Sequence, residues 1–273
     1  MRAALIQLCS GDDPAANLPV TRDLLREAAM GGAGLILTPE VTNCVSSSRA
    51  RQRDVLRHEA GDETLAALRA DAQAHGIWLV IGSLALKTDD PDGRFANRSF
   101  LIAPDGSIAA RYDKIHMFDV NISPTETYAE SSGYRPGAQA VVADTPIGRL
   151  GLSVCYDVRF AYLYRALAQA GAEILTVPAA FSPVTGAAHW ETLLRARAIE
   201  TGCYVFAPAQ TGQNTPGRAS YGHSLAVAPW GEVLVDAGTD PGVSFVDYDL
   251  AEVARARARV PALHHDRDFT GPA

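Results

Sequence analysis

The chain has 273 residues, a formal net charge of −7, 47% hydrophobic and 20% charged residues, the balance of a soluble globular protein long enough to bury a large core. An acidic chain without a Lys/Arg block is a poor partner for nucleic acid or an anionic membrane surface, and no apolar run approaches the roughly 20 residues that span a bilayer. Cys9, Cys44, Cys155 and Cys203 are scattered, without a CxxC pair or metal-ligand spacing; this argues against disulfides and a metal, and for a reducing cytoplasm.

In chain order, residues 3–8 are apolar with one interruption and predict a first strand rather than a signal peptide. Residues 17–30 carry Leu18, Leu24, Leu25 and Ala28 at helical spacing and stop at Gly31-Gly32. Gly34-Leu-Ile-Leu-Thr-Pro-Glu40 predicts a short strand ending in a carboxylate, followed by a polar loop over 43–53. A helix over 63–75 shows the stripe Leu65, Leu68, Ala72, and strands are predicted over 77–81 and 97–102. Pro104-Asp-Gly106 then turns into a strand over 108–112. Residues 113–137 show little periodicity, which inside a compact domain marks a functional or a disordered loop. The frame of Lys114 and Glu130 favours function.

Residues 150–154 are apolar enough for one buried strand and too few for a typical buried helix. The strand delivers Cys155, after which Phe160, Leu163, Tyr164, Leu167 and Ala168 recur at helical spacing, with Asp157 set to cap the first turn. Open α/β sheets place ligands at such strand ends, and a helix N-terminus favours the thiolate over the thiol. Residues 171–178 echo residues 32–39, which points to two equivalent βαβ-type halves. A helix over 186–201 places Arg197 on its apolar stripe, so Arg197 is expected to be partly buried and paired. Residues 203–208 form a strand with Cys203 in the core, and 212–218 form a Gly/Asn/Pro loop. Strands over 224–228, 233–236 and 243–248 and a polar helix over 250–259 complete the chain. No composition shift marks a boundary, so residues 1–273 read as one α/β domain.

A cysteine nucleophile needs a base and a donor for the oxyanion. Among the seven histidines, His116, His189 and His223 fall nearest to loops, and a Cys–His pair stays open on this evidence. Glu40, at the end of a strand that echoes another, is the better base. Burial raises a carboxyl pKa toward neutrality and so suits it to acid and base work. Lys114 then supplies the cation for charge developing on a substrate oxygen.

Leu37-Thr-Pro-Glu40, Arg111-Tyr-Asp-Lys-Ile-His-Met-Phe-Asp119 and Gly151-Leu-Ser-Val-Cys-Tyr-Asp-Val-Arg-Phe160 resemble the Glu, Lys and Cys blocks of the nitrilase superfamily of carbon–nitrogen hydrolases, in order and spacing. Tyr128-Ala-Glu130 with Tyr134-Arg-Pro-Gly137 resembles the segment of a second glutamate; nearby Glu126 lacks the flanking match. The stretches 189–200, 221–224 and 229–232 are similar to the amidase branch that contains the Nit proteins. The resemblance implies a four-layer α-β-β-α sandwich, no metal or organic cofactor, and a homodimer or higher homo-oligomer. It implies hydrolysis of a small carboxylic acid amide, deaminated glutathione or a similar ω-amide, with ammonia released through a cysteine thioester. Cys155 is then the nucleophile and Glu40 the acid/base. Lys114 and the Tyr156 N–H hold the oxyanion, and Glu130 orients Lys114 or the substrate. Phe181, Thr185 and His189 are candidate substrate contacts. The competing readings are hydrolysis of an N-carbamoyl amino acid, hydrolysis of a nitrile, and a non-catalytic ligand-binding scaffold of the same fold.

Overall fold

The structure is a computed structural model that describes residues 1–123 and 126–272. Two six-stranded sheets form its centre. The first runs, edge to edge, Gly242–Asp247, Arg2–Gln7, Leu35–Leu37, Trp78–Leu86, Ala96–Ile102, Ile108–Asp113. The second runs Val141–Ala143, Leu150–Leu152, Ile174–Thr176, Tyr204–Ala207, Leu225–Val227, Val233–Asp236. Read in these orders, both sheets pair antiparallel, parallel, parallel, antiparallel, antiparallel. Leu35–Leu37 and Ile174–Thr176 hold the same place in this scheme, so the echo between residues 32–39 and 171–178 is a duplicated topology.

Side-chain alternation sorts the first sheet into two faces. Ala3, Leu5, Leu35, Leu37, Val80 and Leu101 pack into one core with the second sheet. Ala4, Ile6, Ile36, Leu79, Ile81 and Phe100 pack with Leu25, Ala28, Leu65, Leu68 and Ala72 from the helices Pro14–Met30 and Glu63–His75. Leu163, Leu167, Trp190 and Leu194, from the helices Ala161–Gln169 and Pro183–Thr201, cover the second sheet. The layers are therefore helix, sheet, sheet, helix. Local chemistry fixes the helix ends: Asp13, Asp62 and Ser182 cap N-termini, while Gly76 and Gly202 close C-termini at positive φ. Where the two sheets' strand ends meet, Gly82 leaves no room for a side chain. A Cβ there would lie 2.0 Å from Thr38 O and 2.5 Å from the Pro178 Cβ.

Besides the edge strand Val141–Ala143, which the sequence reading did not anticipate, the structure departs from that reading at four places. The stretch 43–53 contains a helix, Arg49–Val55, capped by Ser48. Residues 113–137 hold a hairpin, Asp119–Ser123 with Glu126–Ala129, and a short 3-10 turn, Glu130–Ser132. The period-two alternation of Asp119-Val-Asn-Ile-Ser123 was the signal for it. Residues 212–218 belong to a second hairpin, Thr211–Thr215 with Arg218–Tyr221. Asp157 caps no α-helix: a 3-10 turn, Cys155–Arg159, comes first, and the α-helix begins at Ala161 without a side-chain cap. Arg197 is buried and paired as expected, donating to Val158 O at 2.8 Å and Glu200 Oε2 at 2.7 Å.

Candidate active site

Three strand ends converge on one cavity. Leu35–Leu37 runs into Thr38-Pro39-Glu40, Ile108–Asp113 runs directly into Lys114, and Leu150–Leu152 leads to Cys155. Cys155 adopts φ +50°, a conformation that side chains rarely tolerate and that surrounding structure must impose. Its N–H donates to Pro178 O at 2.9 Å. Behind it, the buried Asp157 carboxylate accepts the Val154 N–H at 2.9 Å, the His116 N–H at 3.0 Å and the Tyr112 hydroxyl at 2.7 Å. The turn carrying the thiol is thereby locked from below. The following Tyr156 N–H has no backbone partner among the described residues.

Within the cavity the Lys114 ammonium donates to Glu40 Oε1 at 2.9 Å and to both Glu130 oxygens at 3.0 and 2.8 Å. Glu40 is held on all sides: Asn97 Nδ2 reaches Oε1 at 2.9 Å and the Ala180 N–H reaches Oε2 at 2.8 Å. Glu130 also accepts the Phe118 N–H at 2.6 Å. Lys114 is 2% exposed and Glu40 5%, so these charges persist only because they neutralise one another.

Their protonation follows from that pairing. Burial pushes the Glu40 carboxyl up, but Lys114, the Cys155 thiol and Asn97 stabilise the anion and hold it below the usual carboxylate value. Burial pulls Lys114 down, and the charges of Glu130 and Glu40 reverse this, holding the ammonium well above its usual value. Cys155 is pushed well above the ordinary thiol by burial and by the Glu40 carboxylate, against Lys114 and the Ala180 N–H. Two expectations are thus corrected. Glu40 is not raised toward neutrality, because an ammonium touches it. Cys155 is not a helix-terminus thiolate, because a 3-10 turn separates it from the α-helix and a carboxylate faces it. The resting site is a thiol beside an ionised carboxylate and an ammonium, which places a proton acceptor against the group that must lose its proton.

The cavity measures about 420 Å³, and Glu40, Lys114, Glu130 and Cys155 line it together. Of the three expected substrate contacts, Phe181 lines the wall. Thr185 does not: its hydroxyl and N–H face the Ser182 hydroxyl at the helix start. His189 does not either; it is exposed and meets the Arg159 guanidinium at 3.3 Å. His116 is held by Asp157 and stacked on Phe160, and His223 faces Asp236, so no Cys–His pair forms among the described residues. Glu126 accepts from Tyr128 and does not line the cavity. The sequence reading missed Asn97, the Ala180 N–H, Arg49 and Arg218. Asn97, a carboxamide inside a buried strand, was the visible signal. Among the described residues no His, Cys, Asp and Glu side chains cluster as a metal site.

Back-to-back sheets with a thiol, a carboxylate and an ammonium at their strand ends define a hydrolase of the cysteine-dependent type. The family model described as carbon–nitrogen hydrolase matches residues 2–258, and the chain belongs to that family. It is 39% identical to the deaminated glutathione amidase of Yersinia enterocolitica, over 97% of this chain and 92% of that protein. The Caenorhabditis elegans NitFhit crystal structure superposes with a TM-score of 0.91 at 38% identity, covering 97% of this chain and 65% of that one. An amidase mutant from Nesterenkonia sp. AN1, with acrylamide added at its active-site cysteine, superposes at 0.78 with 29% identity, covering 96% and 98%. The protein is a hydrolase of amide C–N bonds. No helix among the described residues is long and apolar enough to cross a membrane.

Proposed function

We propose that Cys155, Glu40 and Lys114 perform this hydrolysis, with deaminated glutathione or a similar ω-amide as substrate. The observation that carries the reading is the geometry of Glu40, pinned by Lys114, Asn97 and the Ala180 N–H in the same cavity that Cys155 lines. As Sγ attacks the amide carbon, its proton passes to Glu40, and the oxygen takes the charge. Lys114 and the Tyr156 N–H hold that oxyanion. Collapse breaks the C–N bond, Glu40 protonates the departing nitrogen, and a thioester remains. Glu40 then takes a proton from water, the hydroxide attacks the thioester, and the carboxylic acid leaves as Sγ is reprotonated. Glu130 keeps Lys114 in place throughout. An unsubstituted amide releases ammonia; deaminated glutathione, whose amide nitrogen carries a peptide remainder, releases an amine. The relatives' names favour amides over N-carbamoyl compounds and nitriles.

Intact mass spectrometry during turnover of an amide panel tests this. The expected species is the chain plus one acyl group, mapped to Cys155; turnover without an adduct on residue 155, even after acid quench, contradicts it. One domain is supported by the core shared between the sheets, and a cytoplasmic location by four free cysteines. A homodimer is supported by Tyr162, Val184 and Ile199, exposed on the two helices over the second sheet, and sedimentation velocity tests it.

A further inference from the structure

Asn97 sits where the two carboxylates of the site come together. It belongs to the strand Ala96–Ile102 and is 2% exposed. Pairing of Arg98 with Asp113 on the neighbouring strand puts Asn97 beside Lys114, and Asn97 O accepts the Lys114 N–H at 2.9 Å. Its Nδ2 donates to Glu40 Oε1 at 2.9 Å and to Glu130 Oε1 at 3.4 Å. A carboxamide turned the other way would set an oxygen against two anionic oxygens, so the nitrogen must face them. Oδ1 is then left buried with no partner among the described residues. An apolar side chain in this buried strand would avoid that cost, so stability alone does not favour a carboxamide here.

The two oxygens of Glu40 are unequally occupied. Oε1 accepts from both Lys114 and Asn97 at 2.9 Å, whereas Oε2 accepts the Ala180 N–H at 2.8 Å. The same Ala180 N–H stabilises a Cys155 thiolate, so the thiol lies on the Oε2 side. Oε2 therefore keeps the lone pair that can take the thiol's proton. A donor on Oε1 favours the anion, and Asn97 acts in this direction on Glu40. The protonated carboxyl becomes a stronger acid for it, and a stronger acid gives its proton more readily to a departing nitrogen.

We infer that Asn97 is a positioning residue which, by filling Glu40 Oε1 beside Lys114, confines the travelling proton to Oε2 and sends it on to the departing nitrogen. The inference rests on the hydrolase reading above and gives Asn97 a task in the C–N cleavage step. No bond to the substrate is asked of it: the thiol proton moves to Oε2, then to nitrogen as the C–N bond breaks.

The test uses the full chain and pairs adipamic acid with mono-p-nitrophenyl adipate, the same acyl group on two leaving groups. If wild type leaves adipamic acid intact, the fastest amide of the panel and its p-nitrophenyl ester take their place. Both members need Glu40 to take the thiol proton, but p-nitrophenolate leaves without being protonated. The readout is the amide-to-ester ratio of kcat/KM, from which a smaller fraction of active protein cancels. Asn97→Leu should lower this ratio about 10-fold, carried by the amide, as a weakened general acid does. Its acid limb of kcat/KM should also move to higher pH, because Glu40 loses a donor that favours its anion. Asn97→Ser, too short to span both carboxylates, should shift both readouts the same way, and it decides the matter if Asn97→Leu does not fold. An unchanged ratio, or an acid limb that stays in place, overturns the inference in either folded variant. Failure of both variants to fold would assign Asn97 to the fold and overturn it as well. A wild type that turns over no amide of the panel sinks the hydrolase reading and the inference with it. A Cys155 adduct together with an unchanged ratio sinks the inference alone.

Discussion

The two halves of the molecule repeat one sheet topology, yet they divide the chemistry unequally. After Leu35–Leu37 the chain turns at Pro39 and offers a side chain, the Glu40 carboxylate. After the equivalent Ile174–Thr176 it turns at Pro178 and offers backbone: Pro178 O accepts the Cys155 N–H, and the Ala180 N–H holds Glu40. The first sheet also brings Lys114, while the second brings the thiol. The difference teaches that a duplicated scaffold supplies matched strand ends, and that in the proposed mechanism one set carries the charges while the other fixes them. Each half alone lacks a working site.

The sharpest way to break this division is to remove the thiol. Cys155→Ala should lower kcat by at least ~10⁴-fold while leaving thermal unfolding unchanged, as loss of a nucleophile does; substantial residual turnover would free the second half of its assigned task. Glu40→Gln should cost about 10³-fold, the scale of a lost general base. It also removes the charge that pushes the Cys155 thiol up while Lys114 stays. The midpoint of Cys155 alkylation by iodoacetamide should therefore move to lower pH. An unmoved midpoint would disconnect the two halves.

Asp157→Asn tests the support beneath the thiol. Losing a buried carboxylate that holds Val154, His116 and Tyr112 should cost about 10- to 100-fold in kcat and about 2 kcal/mol of stability. Equal kcat in the two proteins would show that the φ +50° turn stands without it. Gly82→Ala tests the seam between the halves. A methyl forced against Thr38 O and Pro178 should destabilise by about 1–3 kcal/mol in urea unfolding, with turnover falling because Glu40 and Ala180 are driven apart.

The smallest effect is a pH limb. Glu40 titrates below its ordinary value of 4.5, so its contribution is fully present above that value and lost as pH falls through the lower folded one. Lys114 lies well above 10.5, so its contribution is present below that value and lost only as pH rises through the raised one. Activity should therefore decline on the acid side only below 4.5, with no alkaline loss from Lys114 before 10.5. An acid midpoint near 6 or 7 would mean a carboxyl raised by burial after all.

Much of the fold was readable because period and punctuation are local. The helix Glu63–His75 falls on its predicted bounds, with Leu65 and Leu68 on one face, Asp62 before it and Gly76 after it. The apolar runs ending at Glu40 and Cys155 gave buried strands for the same reason. The strands Asp119–Ser123, Glu126–Ala129, Thr211–Thr215 and Arg218–Tyr221 escaped because they are short and mostly half-exposed, so an alternation such as that of residues 119–123 spans too few residues to stand out. In the site, Glu40, Lys114, Cys155 and Glu130 were legible as residue types at strand ends and in the family-like blocks. The signs of their pKa shifts were not. Burial alone argued for a raised Glu40, and a contact with Lys114, 74 residues away in sequence, decided otherwise.

The sequence by itself determined most of the central strands and long helices, and which side chains are equipped for acyl transfer. Only the tertiary structure decided that Ala180, an unremarkable residue 140 positions from Glu40, supplies the N–H that holds it, and that Arg49 and Arg218 face the same cavity. The reason is physical. Side-chain pattern records the environment of each residue's own face, whereas a contact across distant strands depends on register, and a slip of one residue turns every side chain to the opposite side.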